Sequence, residues 1–350
     1  MDFRRLRRPI HLILDWDGTV TRKDTLSLVA SIGYRHHGYD MDGRPLATSA
    51  SPNPNPNSSI ALKPWNHFVN AYIDDYSAHQ SQYIPKTEDR KSLQDERAWL
   101  ASLSPIENRS VQRVAESRLF QGVTAAEVDE VAQQAVTEGQ LELRPGWAKL
   151  FMGLREGSEK GGERHVLSIL SVNWSERFIR SSLRAAAAAS EDEATQYGKL
   201  LRSYLDNMNI RTNEIAGLER PTGSDGRLST DSVKGVRTST DKLAQMPLHC
   251  RKRLDEEYVE AGSSDEGSVV YVGDSATDLE SLLAADVGIC MRDEPMGSGQ
   301  RELAETLARV GVEVRHVKEA QTGTRGRVVW WARDLAEIAD CPGLSPGTNV

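Results

Sequence analysis

The stretch "IHLILDWDGTVT", residues 10–21, decides the fold. Five mostly apolar residues follow Pro9 and run straight into an Asp/Gly cluster, which reads as a short buried strand over 10–14. The strand ends on Asp15 and Asp17, one residue apart, with Gly18 and Thr19 directly behind. Two carboxylates so close repel, and each raises the cost of ionising the other. A bound cation, or a division of chemical labour between the two acids, is needed to compensate.

Outward from this strand the pattern changes. Residues 24–142 read as helical. In "KPWNHFVNAYIDDY", Trp65, Phe68, Val69, Tyr72, Ile73 and Tyr76 fall on one helical face behind Pro64, and this stripe is expected to be core. Ser104-Pro105 opens another helix, and Thr124 with Glu127 makes a capping box ahead of Val128, Val131, Ala132 and Ala135. "TSASPNPNPNSS" between them is a low-complexity loop. From residue 143 strand and helix alternate: "LRPGWAKLFMGLREG" turns into a helix, "HVLSILS" (165–171) is a strand, and "SERFIRSSLRAAAAAS" is a helix with a solvated alanine tract. "NIRTNEI" (209–215) reads as a short strand, "SVVYVGDS" (268–275) as another, then "TDLESLLAAD" as a helix and "VGICM" as a strand. "VVWWARDLAEI" adds a strand–helix piece near the end. Such alternation implies right-handed βαβ units and a doubly wound parallel sheet of the α/β class. The block 24–142 is too long for a crossover. The expected organisation is therefore an α/β core of residues 1–23 plus 143–350, with an α-helical cap domain, 24–142, inserted after the first strand.

At 350 residues the chain can bury a sizeable core, and its net charge of −8 argues against nucleic acid or an anionic membrane as a general partner. A small anionic substrate needs only local positive charge. Three widely spaced cysteines, Cys250, Cys290 and Cys341, make no metal pattern and no disulfide framework, which points to a reducing compartment. No apolar run approaches the ~20 residues of a membrane helix. "MDFRRLRRP" is basic, but the strand begins at Ile10 and leaves no room for a removable signal, so a cytoplasmic location is expected.

Ligands of open parallel sheets sit at the carboxyl ends of the strands. Here those ends carry Asp15 and Asp17, then Ser171, then Asp274 and Asp278 of "GDSATD", while "RTSTDKL" places Lys242 at a helix start. Converging carboxylates suit a hard cation such as Mg²⁺, and a hydroxyl, a lysine and helix N-termini beside it suit a phosphate. Read alone, each signal has a plainer alternative. Asp-x-Asp-Gly can be a turn, Asp274 and Asp278 can cap the helix that follows, and Ser171 can be a turn residue. Lys234 of "DSVKGV" competes with Lys242, because Pro247 falls inside the helix expected after Lys242. The histidines, including His36-His37, have no ligand spacing.

"ILDWDGTVT" resembles the first motif of the haloacid dehalogenase superfamily, DxDGT. "ILS" at 169–171 resembles its second motif, and "YVGDSATD" at 271–278 is similar to its fourth, in the right chain order. "LRPGW" and the helical insert resemble the phosphoserine-phosphatase-like branch. The resemblance covers about half the chain. It implies a Mg²⁺-dependent phosphatase acting on a small phosphorylated metabolite through an aspartyl-phosphate on Asp15, with Asp17 as acid and then base. It further implies a metal held by Asp15, the Asp17 backbone carbonyl and Asp274, with Asp278 either a further ligand or a residue that supports them, and phosphoryl oxygens held by Ser171, Lys242 and Thr19. Asp17 favours phosphate chemistry over carbon–halogen cleavage, since the superfamily's dehalogenases lack the second aspartate. A phosphoserine-like or thiamine monophosphate-like substrate is suggested, the latter by "SVNWSERFI". Two alternatives stay open: a phosphotransferase or mutase using the same intermediate, and a regulatory protein on the same fold.

Overall fold

The computed structural model describes residues 6, 9–46, 62–161, 165–189, 195–229, 235–255, 267–319, 328–341 and 344. Lys234, most of the 42–60 loop, much of the acidic loops near 230 and 261–266, and the residues after 344 lie outside the described residues. Seven parallel strands form one sheet: β1 (Ile10–Leu14), β2 (Val166–Leu170), β3 (Asn209–Arg211), β4 (Ser268–Gly273), β5 (Val287–Met291), β6 (Glu313–His316) and β7 (Val328–Ala332). Their order is β6-β7-β5-β4-β1-β2-β3. Leu12 of β1 stands opposite Leu167 on one side and Val270 on the other. The chain runs outward from β1 to β2 and β3, then returns to β4 on the other side of β1. The carboxyl ends of β1, β2 and β4 therefore flank the point where strand order reverses, the place where open sheets bind ligands.

Strand alternation sends side chains to two separate apolar layers. Leu12 and Leu14, Val270 and Val272, and Ile289 and Met291 join one cluster, while Ile13, Val269, Tyr271 and Cys290 join the other. Helices cover both layers. After β1 come α1 (Leu26–His36), α2 (Trp65–Gln82), α3 (Leu93–Ser102), α4 (Ser104–Glu116) and α5 (Ala125–Thr137). Then come α6 (Trp147–Gly161), α7 (Glu176–Ala188), α8 (Gln196–Asp206), α9 (Ser239–Gln245), α10 (Leu248–Asp255), α11 (Leu279–Ala284), α12 (Ser298–Arg309) and α13 (Leu335–Ala339). The layer around Leu12 takes α5 to α8, and the layer around Tyr271 takes α9 to α12. Among the described residues no helix is long and apolar enough to cross a membrane.

The helical segment between β1 and β2 leaves and rejoins the core side by side. Thr21 bridges Leu143, Arg22 N donates to Glu142 O at 2.9 Å, and Arg144 N donates to Val20 O at 2.8 Å. Within it α1 packs on α5, α2 on α4, α3 on the core helix α9 and α5 on the core helix α7. The expected capping box is present, with Glu127 N donating to the Thr124 hydroxyl and Thr124 N to Glu127 Oε2.

Two expectations are corrected. "NIRTNEI" is not one strand: only Asn209–Arg211 joins the sheet, and Glu214–Ile215 pairs antiparallel with Leu228–Ser229. Asn213 breaks the run because its side-chain amide donates to the carbonyls of Val172, Asn173 and Val236 at 3.1, 2.9 and 2.8 Å. Pro247 is no obstacle to Lys242, because α9 stops at Gln245 and α10 starts only at Leu248. Thr238 caps α9, and Asp241 closes the box from the third helical position.

Leu12 is fully buried at the middle of β1. Leu12→Ala is expected to lower unfolding stability by about 2–5 kcal/mol, read from chemical denaturation, through lost burial and the cavity left behind. An unchanged midpoint would contradict its place at the centre of the sheet.

Candidate active site

The strand ends bring most of the expected residues to one place. Asp15 N is anchored to Val272 O of β4 at 2.9 Å, so the chain is still in sheet register when the first carboxylate appears. Lys242 Nζ, fully buried, lies 2.8 Å from Asp15 Oδ1 and 2.7 Å from Asp278 Oδ1. Tyr271 OH also donates to Asp278 Oδ1 at 2.7 Å. The other oxygen of Asp278 accepts from Asp274 N, Ser275 N and Ser275 Oγ at 3.0, 3.1 and 3.2 Å. Asp278 thus aligns the lysine with one oxygen and shapes the Asp274–Ser275 turn with the other.

Asp17 points elsewhere. Its Oδ1 accepts from Thr25 N at 2.7 Å and Thr25 Oγ1 at 2.6 Å, and its Oδ2 from Asn173 Nδ2 at 2.9 Å. Ser171 is buried at the end of β2, and its hydroxyl oxygen accepts from Asn173 N at 3.2 Å. Thr19 is buried in the loop behind Asp17, with no hydrogen-bond partner for its hydroxyl among the described residues.

Gly18 carries the close approach in this loop. Its φ of +71° suits glycine, and a Cβ there would stand 2.1 Å from Asp274 Oδ2. Its carbonyl accepts from Arg144 Nε at 3.1 Å and Nη2 at 2.7 Å. Arg144, fully buried, also grips Asp293 at 2.6 and 2.8 Å and donates to Arg333 O at 3.0 Å. One guanidinium therefore ties the loop after β1 to the loops after β5 and β7.

Charge in the cleft is unbalanced. Burial, reinforced by Asp278 and Asp17 against the pull of Lys242, pushes Asp15 up to about 7. Burial, with the charge of Asp24, pushes Asp17 up to about 6 despite the bonds from Asn173 and Thr25. Asp274 is raised well above the carboxylate range by burial and by Asp15 and Asp278. For Lys242, burial favours the neutral amine, but the charges of Asp15 and Asp278 outweigh it and hold the ammonium above its ordinary value. Oxygens of Asp15, Asp274 and Asp278 lie within 4.8 Å of one another. An all-oxygen cluster with a surplus of buried negative charge suits a hard divalent cation such as Mg²⁺. A second convergence, His249, Cys250 and Asp286, lies toward the amino ends of β4 and β5, but there Asp286 is already taken by Arg253 at 2.8 Å and Val269 N at 2.8 Å.

A cavity of about 330 Å³ opens beside Asp17 and Asn173. Trp65, Phe68 and Tyr72 of α2, Glu107 of α4, Trp174 and Arg237 line it. The aromatic stripe expected to be core is thus divided. Phe68 is buried, Trp65 and Tyr72 face the cavity, Tyr76 packs on Trp99 with ring centroids 5.8 Å apart, and Ile73 is 51% exposed. Arg144, Thr25 and Tyr271 were not singled out by sequence. "LRPGW" marked the neighbourhood of Arg144, but its partners lie some 125 to 190 positions away.

The fold and site define an α/β protein with its polar cluster at a switch point. No family model matches the chain. In sequence it is 24% identical over 283 residues to a CTO1 family protein of Schizosaccharomyces pombe, covering 80% of this chain and 81% of that one. It is 24% identical over 297 residues to cold tolerance protein 1 of Saccharomyces cerevisiae, covering 78% and 75%. It also matches the mitochondrial bifunctional TH2 protein of Arabidopsis thaliana, at 24% over 277 residues and 38% of that protein's length. Similar solved structures include a phosphoserine phosphatase with a phospho-aspartyl intermediate analogue (12% identity, TM-score 0.39, 94% and 96% coverage). A haloacid dehalogenase family hydrolase from Salmonella enterica is also similar (12%, TM-score 0.40, 83% and 65%).

The raised carboxyls set a pH dependence. Unfolded aspartates titrate near ~4, so between about pH 4 and 7 the folded protein holds protons the unfolded chain has lost. Metal-free stability therefore rises as pH falls from 8 through 7 and 6. Asp15→Asn removes one of these groups, and its melting temperature should vary less with pH than wild type over that range. Mg²⁺ competes with the protons, so it should raise the wild-type melting temperature more at pH 8 than at pH 6. A larger Mg²⁺ effect at pH 6 would contradict the charge assignment.

Proposed function

We propose that this protein is a metal-dependent phosphatase of small phosphomonoesters, using Asp15 as nucleophile. The observation that carries the reading is the buried Lys242 held between Asp15 and Asp278, with Asp17 set apart beside a cavity. A lysine committed to two carboxylates in the interior serves no surface role, and it sits where a phosphoryl group attacked by Asp15 would need a cation.

In this reading an Asp15 oxygen bonds to phosphorus as the ester P–O bond breaks, and Asp17 gives its proton to the departing alkoxide. A water then attacks phosphorus, loses its proton to Asp17, and the Asp15–phosphorus bond breaks to release phosphate. Thr25 and Asn173 keep the Asp17 carboxyl aimed away from Asp15, so the two acids do separate work. Burial keeps Asp17 protonatable near neutral pH, which suits an acid that must also act as a base. Lys242, the Ser171 hydroxyl and the Thr19 hydroxyl, which has no partner among the described residues, would take phosphoryl oxygens. Asp15, Asp274 and the backbone carbonyl of Asp17 would hold Mg²⁺. Asp278, with both oxygens engaged, fits better as the residue that positions Lys242. When bound, the cation would neutralise negative charge on the carboxylates and on the phosphate.

The segment 24–142 is read as a cap, since α2 and α4 supply much of the cavity wall. Aromatic faces of Trp65, Tyr72 and Trp174 suit a planar leaving group, which favours a thiamine monophosphate-like ester over a phosphoserine-like one.

Phosphate release from thiamine monophosphate, phosphoserine and p-nitrophenyl phosphate, with and without Mg²⁺, tests both parts. Mg²⁺-dependent turnover that falls at least about 1,000-fold in Asp15→Asn is expected, as loss of a nucleophile demands. Turnover that survives Asp15→Asn would remove the mechanism. Phosphoserine turned over faster than thiamine monophosphate would remove the substrate preference. Phosphate appearing on added alcohols rather than in solution would favour the phosphotransferase alternative.

A further inference from the structure

The cap segment is fastened to the core on the lysine side by buried ion pairs, and one of them touches the machinery that places Lys242. On α3, Glu96 is buried and accepts from Arg90 at 2.9 Å and from Arg309 of α12 at 2.8 Å. Its neighbour Arg97 donates from Nε to Glu280 Oε1 of α11 at 2.8 Å. Glu280 is only 2% exposed, and it does more than receive the arginine. Its Oε2 accepts from Thr240 Oγ1 at 3.2 Å, and its backbone N–H donates to Ser239 Oγ at 3.4 Å. Ser239 and Thr240 open α9, the seven-residue helix that carries Lys242. Lys242 itself crosses to Asp278, immediately before α11.

α9 and the Asp278–Glu280 turn are thus joined by three side-chain links, and α3 of the cap grips the second oxygen of the same carboxylate. We propose that Arg97 is a positioning residue: through Glu280 it makes the placement of the phosphate-facing Lys242 depend on docking of the cap. The proposal rests on the phosphatase reading above.

The physical basis is a shared buried acceptor. Glu280 is a carboxylate removed from water, and its two main donors lie on different parts of the molecule. Without Arg97, Thr240 is left as the side-chain donor to that carboxylate among the described residues, and the buried carboxylate must rearrange. That change falls on the first turn of α9, one turn or less from Lys242. The Glu96–Arg309 pair fastens the same helix α3 but does not reach α9. It therefore separates docking in general from docking through Glu280.

Orthovanadate binding in Mg²⁺, followed by calorimetry, reads the phosphoryl site without requiring turnover. Wild type is expected to bind. Arg97→Met should weaken vanadate about 3- to 30-fold, the range of coupling carried by packed networks. With p-nitrophenyl phosphate as substrate, it should lower kcat by a similar factor. Arg97→Lys should recover part of both effects, and it also stands in if Arg97→Met does not fold. Arg309→Gln should lower the melting temperature while leaving vanadate affinity within about 2-fold of wild type, as expected of a residue outside the coupled network. Arg97→Met added to Glu280→Gln should weaken vanadate little further than Glu280→Gln alone.

Equal weakening in Arg97→Met and Arg309→Gln, or none in either, would overturn the inference and leave the phosphatase reading standing. A folded wild type that binds no vanadate in Mg²⁺ would overturn both.

Discussion

The structure of the cleft depends on one ammonium. Lys242 sits between Asp15 and Asp278 with no water-facing surface, and it lessens a concentration of buried negative charge that would otherwise be prohibitive. Much of the local architecture serves this placement. The Thr238–Asp241 box starts α9 at the right residue, Tyr271 and two backbone N–H groups steady Asp278, and β4 holds Asp15 in register. One lysine does not balance the neighbouring carboxylates, and the remaining surplus is what makes the cleft receptive to a divalent cation.

Arg144 is the second fixed point. It holds the Gly18 carbonyl, and through it the turn that brings backbone against Asp274. Its other partners come from loops after β5 and β7, so strands beyond β1, β2 and β4 still shape the cleft. These distant strands are structural supports for the loop after β1, in which Asp17 parts from Asp15 toward Thr25 and Asn173. That separation gives the two acids different surroundings, and with them different chemical capacities.

The α/β class, the succession of elements and the strand-end aspartates were legible because they rest on local signals. Periodicity of two or 3.6, a proline before a run and a glycine after it are all written within a few residues. The boundaries that failed did so for tertiary reasons. Asn213 ends a strand by bonding to three carbonyls from two other loops, and Pro247 looked disruptive only because the end of α9 at Gln245 was not visible. Likewise, the stripe 65–76 has a helical face, but periodicity cannot say whether that face meets core or cavity. Both occur within the same helix.

For this protein, sequence by itself determined the α/β alternation and which acids stand at strand ends, because those depend on neighbours in the chain. The tertiary structure alone decided what each acid is bonded to. Asp278 and Asp274 are nearly adjacent in sequence, yet one is saturated by Lys242, Tyr271 and backbone donors, and the other faces Gly18. Arg97 carried no local signal, and "LRPGW" marked the place of Arg144 but not its role, since a charged residue in a polar sequence looks like surface. Their roles arise because folding removes water around a distant carbonyl and a distant carboxylate, and a buried acceptor must then find a donor wherever the chain has placed one.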